Sequence, residues 1–533
     1  MSRRKRIVSV LALLSICLFA FFWLTWQRRQ RAMPPLKIGL WYWHHPFALP
    51  NREAQQLHAA GVTQLYIRAG TFIRAGDSVR MTLLQHWATG APGLETHLVF
   101  NFDYSVVRGF AQLNLDHIAR DVSDAVRTTL MQARLAGLHP VGVQFDFDCA
   151  THSLSRYARL LKQLRSALVG RGCFAQISIT ALPTWYGSRA VEQVAAAVDF
   201  MTPQYYEPRL GPTLDRYATI SCLPLLEHGM QAAARVGRPF YVGIPAYGHA
   251  LMYDDYGSLV GLYRDMNVLD AAHHRAFRVA RTFPSDPDGR PATRRTAIGE
   301  NLIDLVATKP GESGRGHGYH LLYDLPTAEL VRQHLALIRA QRPPECHGVI
   351  LFCYPEPDGT QAVPLPALSA ALTGRSANPD LKVRIAIRRS SWDLIETGVR
   401  DRRRPAEIFV SVTNVGNSDT FFAPDAVSLT LTFDRVGMEE ANPNDFDSID
   451  AAYVELSNGK SGHETAWQSS SLARANALRL RRFHLAVGET ARIGPILAPT
   501  DATEIRGVWA VRDPNGFDTR SGDIAPVKLN HWQ

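Results

Sequence analysis

Two aspartates two residues apart, Asp146 and Asp148, are the residues of this chain best placed to do chemistry. They stand in the run Val141-Gly-Val-Gln-Phe-Asp-Phe-Asp-Cys149. Side chains alternate along a β-strand, so Val141, Val143, Phe145 and Phe147 share one face. Gly142, Gln144, Asp146 and Asp148 share the other, with the carboxylates about 7 Å apart along the strand. Carboxylates on a buried face are costly unless hydrogen-bonded, paired or open to a cleft. Two of them in a partly apolar cleft cannot both ionise easily, so one keeps its proton towards neutral pH. A proton-donating carboxyl beside one that stabilises positive charge is what breaking a glycosidic bond requires. Asp148 is the expected acid and Asp146 the expected stabiliser. The plain alternative is an exposed antiparallel strand with a wet face.

The elements around this run favour the cleft. Strands are expected at 37–43, 64–69, 97–103, 141–148, 175–182, 198–206, 240–247 and 348–356. Helical periodicity falls between several of them, most clearly at 51–60, 116–138, 154–169, 189–197, 223–236 and 327–342. Eight strand-then-helix units are the arithmetic of an α/β fold of the (β/α)8 TIM-barrel type, whose active sites collect at the C-terminal strand ends. Reading each strand by its pleat turns Trp41, Trp43, Tyr66, Arg68, Asn101, Asp103, Gln144, Ser178, Thr180, Thr202, Gln204, Tyr206, Tyr247, Tyr354 and Glu356 inward, with the two aspartates. A purely structural core would place branched aliphatics there. Gln204 and Tyr206 share this inward face with Gln144, Tyr247 and a candidate third carboxylate, Asp103. Trp41, Trp43, Trp185, Tyr205 and Tyr354 are candidate stacking platforms. Arg68 either neutralises an acidic substrate or pairs with Asp103. Glu207 and Glu356 are alternative acids. His44 and His45 lack a third ligand, so neither metal nor cofactor is expected.

At 533 residues the chain exceeds one ordinary core. Its 46% hydrophobic and 20% charged residues are those of a globular protein. Much of the net charge of +9 is N-terminal, so no nucleic-acid partner is read from it. Residues 1–33 read as a basic stub and a signal-anchor transmembrane helix, from the apolar run at 7–26. The bulk of the chain is then expected outside the cytoplasm, on a single-pass cell-membrane anchor. Residues 34–375 form the expected barrel. A long insertion after the seventh strand, about 248–325, holds short strands at 253–264, 301–307 and 319–324 and an exposed loop at 284–296. After a linker at 374–379, residues 380–533 alternate in short runs, as an all-β sandwich does. The cysteines show no ligand spacing and fix no pairing.

The strand motifs themselves have a resemblance. Gln144-Phe-Asp-Phe-Asp-Cys149 followed by a helix resembles the Q-x-D-[FY]-D-C strand of a bacterial group, domain-of-unknown-function family 3142. More broadly the barrel resembles the chitinase-like enzymes of glycoside hydrolase family 18. Their D-G-x-D-x-D-x-E strand aligns with Val141 to Asp148, so Asp146 falls on the substrate-assisting aspartate and Asp148 on the catalytic glutamate. Gln144 replaces an inner aspartate. Met201-Thr-Pro-Gln-Tyr-Tyr-Glu207 resembles the sixth strand, whose tyrosine contacts the substrate's acetamido group, which implies Gln204 and Tyr206 as hydrogen-bond donors to substrate. Tyr241-Val-Gly-Ile-Pro-Ala-Tyr-Gly248 resembles the seventh, and Gly348-Val-Ile-Leu-Phe-Cys-Tyr354 the last, where Tyr354 or Phe352 takes the place of a tryptophan under the sugar. The resemblance implies a glycoside hydrolase acting on an amino-sugar polysaccharide. Asp148 is one methylene shorter than the glutamate it replaces. Two other readings therefore stand beside the enzyme: a polysaccharide-binding barrel without turnover, and an envelope scaffold.

Overall fold

The computed structural model describes residues 15, 33, 35–87, 93–207, 210–221, 223–264, 266–308, 318–355, 361–389, 406–457, 460–464, 471–499 and 501–529. The expected membrane anchor, residues 7–26, lies outside the described residues but for Ser15. Among the described residues no helix is long and apolar enough to cross a membrane.

Eight parallel strands close into a barrel. They are β1 (Lys37–Tyr42), β2 (Val62–Ala75), β4 (Glu95–Phe102), β5 (Gly142–Asp146), β6 (Gln176–Ala181), β7 (Phe200–Pro203), β8 (Phe240–Pro245) and β14 (Cys346–Phe352). The barrel closes because β1 pairs with both β14 and β2. Strand β2 runs past its expected end and turns back as β3 (Ser78–Leu84), an antiparallel strand on its outer edge. Helices α1 (Asn51–Ala59), α2 (Tyr104–Gly109), α3 (Leu115–Leu135), α4 (Leu154–Leu168), α5 (Ala190–Ala195) and α6 (Leu223–Ala234) occupy the connections before the insertion. Val143, Phe145 and Phe147 pack outward with Tyr157 and Leu161 of α4 in one large apolar cluster. Burial of that face fixes the register of β5 and turns Gln144 and Asp146 into the barrel.

The floor of the barrel is built from aromatic rings set against glycines. Tyr66 faces Gly39, Tyr241 faces Gly348, and His97 faces Gly142; a Cβ on any of the three glycines would come within 3.0 Å of the facing ring. His97 and Gly142 are cross-strand partners, as are Tyr241 and Gly348. Neighbouring strands thus share space that admits one large side chain, the large-against-small alternation that fills small barrels.

The insertion between β8 and β14 is an antiparallel five-stranded sheet of order β10-β9-β13-β12-β11. Its strands are β9 (His249–Tyr253), β10 (Leu259–Tyr263), β11 (Phe277–Pro284), β12 (Glu300–Ala307) and β13 (His320–Pro326), with α7 (Val268–His273) between β10 and β11. The single strand expected at 253–264 is instead the turn and second arm of a hairpin. α8 (Ala328–Gln341) and α9 (Leu365–Leu372) flank β14.

The C-terminal residues form separate antiparallel sheets. One contains β15 (Leu381–Arg389), β16 (Ala406–Asn414) and β22 (Thr490–Leu497). Another contains β17 (Val427–Phe433), β18 (Ser448–Ala452), β21 (Ala477–Arg482), β23 (Glu504–Arg512) and β24 (Thr519–Lys528). A two-stranded ribbon joins β19 (Val454–Ser457) to β20 (Lys460–Glu464). Ile408 and Val410 of the first sheet share an apolar core with Leu429 and Leu480 of the second. Phe422 and Phe483 pack instead on the insertion, beside Leu321 and Tyr323.

Candidate active site

Asp146 is the last residue of β5, and Asp148 lies just beyond it at the mouth of the barrel. The Thr180 hydroxyl on β6 donates to Asp146 Oδ1 at 2.7 Å. Burial pushes the Asp146 pKa up to about 7, the Asp148 charge adds to the rise, and the Thr180 bond and Arg68 oppose it. Asp148 is also raised, by desolvation and by Glu207, against the pull of Arg264. Its side chain is open to solvent while Asp146 is partly covered. The two therefore titrate as a coupled pair, and burial leaves the proton of the free protein on Asp146.

A second set of charges faces them. Glu207 follows Tyr206 in a left-handed backbone conformation (φ 46°). It accepts from His249 Nδ1 at 2.8 Å and from Arg264 Nη2 at 2.7 Å. Burial alone would raise its pKa, but the His249 bond and the Arg264 charge outweigh that and bring it down to about 2. Glu207 is accordingly a fixed anion, not an alternative acid. Since an ionised carboxylate only accepts, His249 carries its proton on Nδ1. Arg264 and His249 come from the insertion, so the inserted sheet supplies part of the wall opposite β5. Tyr247 bonds into the same pair.

Aromatic side chains line the space between. The Tyr206 ring stacks over Phe352 at 6.1 Å and 18°, and Tyr247 meets Phe352 edge-on at 4.9 Å. Trp43 also packs edge-on against Phe352, at 5.3 Å. Burial, with the charges of Asp146, Glu207 and Asp148, pushes the Tyr206 phenol well above its usual range, so it is a hydrogen-bond donor at any working pH. Half-buried Gln204 comes down over β8, its Cα and the Trp41 ring both 3.3 Å from where a Cβ on Gly243 would sit.

Other expected site residues are elsewhere. Gln144 is fully buried, accepting from Trp41 Nε1 at 2.8 Å and donating to Ser178 and Thr202 hydroxyls at 3.4 Å each. It and buried Trp41 support the mouth from below and present no surface to a substrate. Asp103 is no third carboxylate: it caps α2, accepting from the Ser105 amide at 2.8 Å. Tyr354 is no platform either. It lies beyond the end of β14, stacks on Tyr42 at 4.9 Å on the outside of the barrel, and donates to Glu53 of α1. Phe352, two residues earlier, is the ring that faces inward. Trp185 and Tyr205 are buried in the outer core. Arg68 does not pair with Asp103; it donates to Thr71 at 2.9 Å and lies 5.2 Å over the Trp43 ring. Glu356 falls outside the described residues. Sequence reading missed Arg264 and His249, which no local pattern marks, and Tyr104, a 70% exposed ring on the rim with Arg108 over it.

A closed parallel barrel thus carries a pair of interacting acids at its C-terminal mouth. Residues 104–268, which include the two aspartates, match the family model for a domain of unknown function, DUF3142. Similar solved structures include a chitinase from Chromobacterium violaceum, 17% identical, covering 64% of this chain and 99% of that one with a TM-score of 0.40. A glycoside hydrolase family 18 N-acetylglucosaminidase from Paenibacillus barengoltzii is 15% identical, covering 63% and 100%, TM-score 0.40. The spore cortex-lytic enzyme SleL of Bacillus cereus is 14% identical, covering 65% and 75%, TM-score 0.42. No curated protein matches the sequence.

Proposed function

We propose that this protein is a glycoside hydrolase that cleaves an N-acetylated amino-sugar polysaccharide with Asp148 as proton donor and Asp146 as stabiliser. The observation that carries this reading is the coupled pair itself: one carboxyl buried and proton-holding, the other open at the mouth, with the Tyr206 phenol in electrostatic contact with both. A substrate acetamido N–H seated against Asp146 replaces the proton there as its hydrogen-bond partner, and the shared proton passes to Asp148. Asp148 gives it to the departing glycosidic oxygen as the C1–O bond breaks. The acetamido carbonyl oxygen bonds to C1, and the positive charge of the resulting ring is balanced by ionised Asp146. Tyr206 donates to the acetamido group and holds it in line. Water then adds to C1 as the bond from C1 to the acetamido oxygen breaks, giving the neutral acetamide back, and the proton the water loses goes to Asp148. Tyr104 and Trp43 are the rings on which neighbouring sugars stack. No step calls for a metal or cofactor.

We further place the barrel outside the cytoplasm, tethered through residues 7–26. The support is the apolar run and its flanking arginines.

The test is hydrolysis of a panel of N-acetylated and partly deacetylated oligosaccharides by the full chain, beside Asp148→Asn. Cleavage that disappears in the variant is the expected result. A second reading, binding without turnover, is favoured by one observation: Asp148 has a shorter arm than a glutamate. Binding across the panel with no cleavage by the native chain, and cleavage gained in Asp148→Glu, would establish it. Neither binding nor cleavage would leave the scaffold.

A further inference from the structure

Arg68 and Arg264 both reach the mouth, and they differ in one respect. Arg264 is already paired with Glu207. Arg68 has no such partner: among the described residues no carboxylate forms an ion pair with it, and its buried Nε has no hydrogen-bond partner. Its side chain is nonetheless held in place. Nη2 donates to Thr71, whose hydroxyl donates in turn to Asn101 at 2.6 Å. The guanidinium lies over Trp43, which is braced by Phe352. The β2–β4 register shifts between Arg68 and Gly70, a bulge of the kind that re-aims a side chain at a barrel rim. Arginine suits this arrangement, since its planar fork stacks on an indole while leaving N–H groups free for a planar anion. Desolvation disfavours this guanidinium, opposed by the Asp146 charge. Below about pH 7 Asp146 is itself protonated, so that counter-charge is lost. A half-buried cation that is oriented but unpaired is costly unless an anion comes from outside the chain.

We propose that Arg68 receives a carboxylate carried by the glycan, so that the substrate is an anionic amino-sugar polymer and not a neutral one; this rests on the reading of the cleft given above. The carboxylate belongs to a sugar bound beside the scissile bond, because Arg68 and Asp146 stand on the same mouth. It is carried either on the ring, as in a uronic acid, or on an ether side chain, as in a muramic acid.

The experiment is calorimetric binding to the full chain carrying Asp148→Asn, which blocks turnover. Three tetrasaccharides serve as probes: neutral N-acetylglucosamine, alternating N-acetylhexosamine and uronic acid, and alternating N-acetylglucosamine and N-acetylmuramic acid. At least one acidic probe is expected to bind more tightly than the neutral one, and which of the two does so identifies the source of the carboxylate. Adding Arg68→Met should lower that acidic-to-neutral affinity ratio by about tenfold, the size of one charge-assisted hydrogen bond. Arg68→Lys, which keeps charge but not the fork, should lie between and guards against a folding defect in the first variant. Equal affinity for acidic and neutral probes, or an unchanged ratio in Arg68→Met, overturns the assignment of Arg68 alone. Failure of the Asp148→Asn chain with Arg68 intact to bind any of the three overturns the reading of the cleft as well.

Discussion

The two ends of the barrel interior are made from the same strands and the same inward parity, yet they are chemically opposite. At the floor, Tyr66, His97 and Tyr241 fill the space left by glycines, and the charges nearest them, Lys37 and Glu95, are half-exposed and paired with each other at 3.6 Å. His97 stacks on Tyr66 at 4.5 Å, neither of its ring nitrogens has a partner among the described residues, and burial brings its pKa down to about 4. At the mouth, two layers further along the strands, Asp146, Asp148, Glu207, Arg68 and Arg264 crowd together. Asp146 is pushed up by burial, as His97 is pushed down. The same force, desolvation, thus neutralises an acid at one end and a base at the other. The floor is arranged for packing. The mouth tolerates electrostatic conflict, the mark of a functional site.

The comparison can be broken most forcefully at Asp146. Asp146→Asn should lower turnover by about two to four orders of magnitude, as loss of a positioned acid–base group does. The same substitution should stabilise the protein, and only at higher pH. A carboxyl whose folded pKa is raised contributes stability below its unfolded pKa, near 3.8, and loses it as pH rises towards about 7. Denaturant unfolding should therefore show Asp146→Asn gaining on the order of 2 kcal/mol at pH 8 and nothing at pH 3.5. A flat difference across that window would mean that burial does not hold the proton.

The floor should break mechanically. Gly142→Ala sets a Cβ 2.2 Å from His97 Nδ1, between two paired strands that cannot part. We expect a loss of roughly 2–3 kcal/mol by denaturant unfolding. His97→Ala in the same chain should recover part of it, and a double-mutant cycle measures how much. His97→Phe tests the opposite pH slope. A histidine with a depressed folded pKa gives stability above its unfolded pKa of 6.5, lost as pH falls towards about 4. The variant should gain about 2 kcal/mol on the wild type between pH 7.5 and pH 5. The smallest effect is expected at Asp103. Asp103→Ala removes a helix cap, costing about 1 kcal/mol, with turnover kept. A hundredfold loss of turnover would return Asp103 to the site.

How far the sequence could be read follows from the same geometry. Wherever a residue lies inside a strand, its parity places it: Arg68, Gln144, Asp146, Thr180 and Thr202 all face inward as expected. Parity ceases to apply once the strand ends. Asp103 is one residue past β4 and starts a helix, where aspartate is a favoured cap. Tyr354 is two past β14 and swings outside. Asp148 and Tyr206 also lie beyond their strands, and there the pleat and the motifs together pointed to the mouth. Arg264 and His249 were beyond reach. They arrive on an inserted sheet whose pairing with the mouth is set by tertiary contacts, and nothing in their local spacing distinguishes them from surface charge.

Gln144 gives the mouth a direction. Its amide neither takes up nor releases a proton, its carbonyl oxygen is occupied by Trp41, and its nitrogen is committed to Ser178 and Thr202. Beneath it the barrel is sealed by rings. A proton on Asp146 meets the Gln144 amide behind it, which cannot take it on towards the His97 and tyrosine rings of the floor. The interior is therefore a blind alley for protons: whatever charge Asp146 gains or gives up must be exchanged outward, through Asp148 and the bound sugar, and each proton loaded at the mouth is delivered at the mouth.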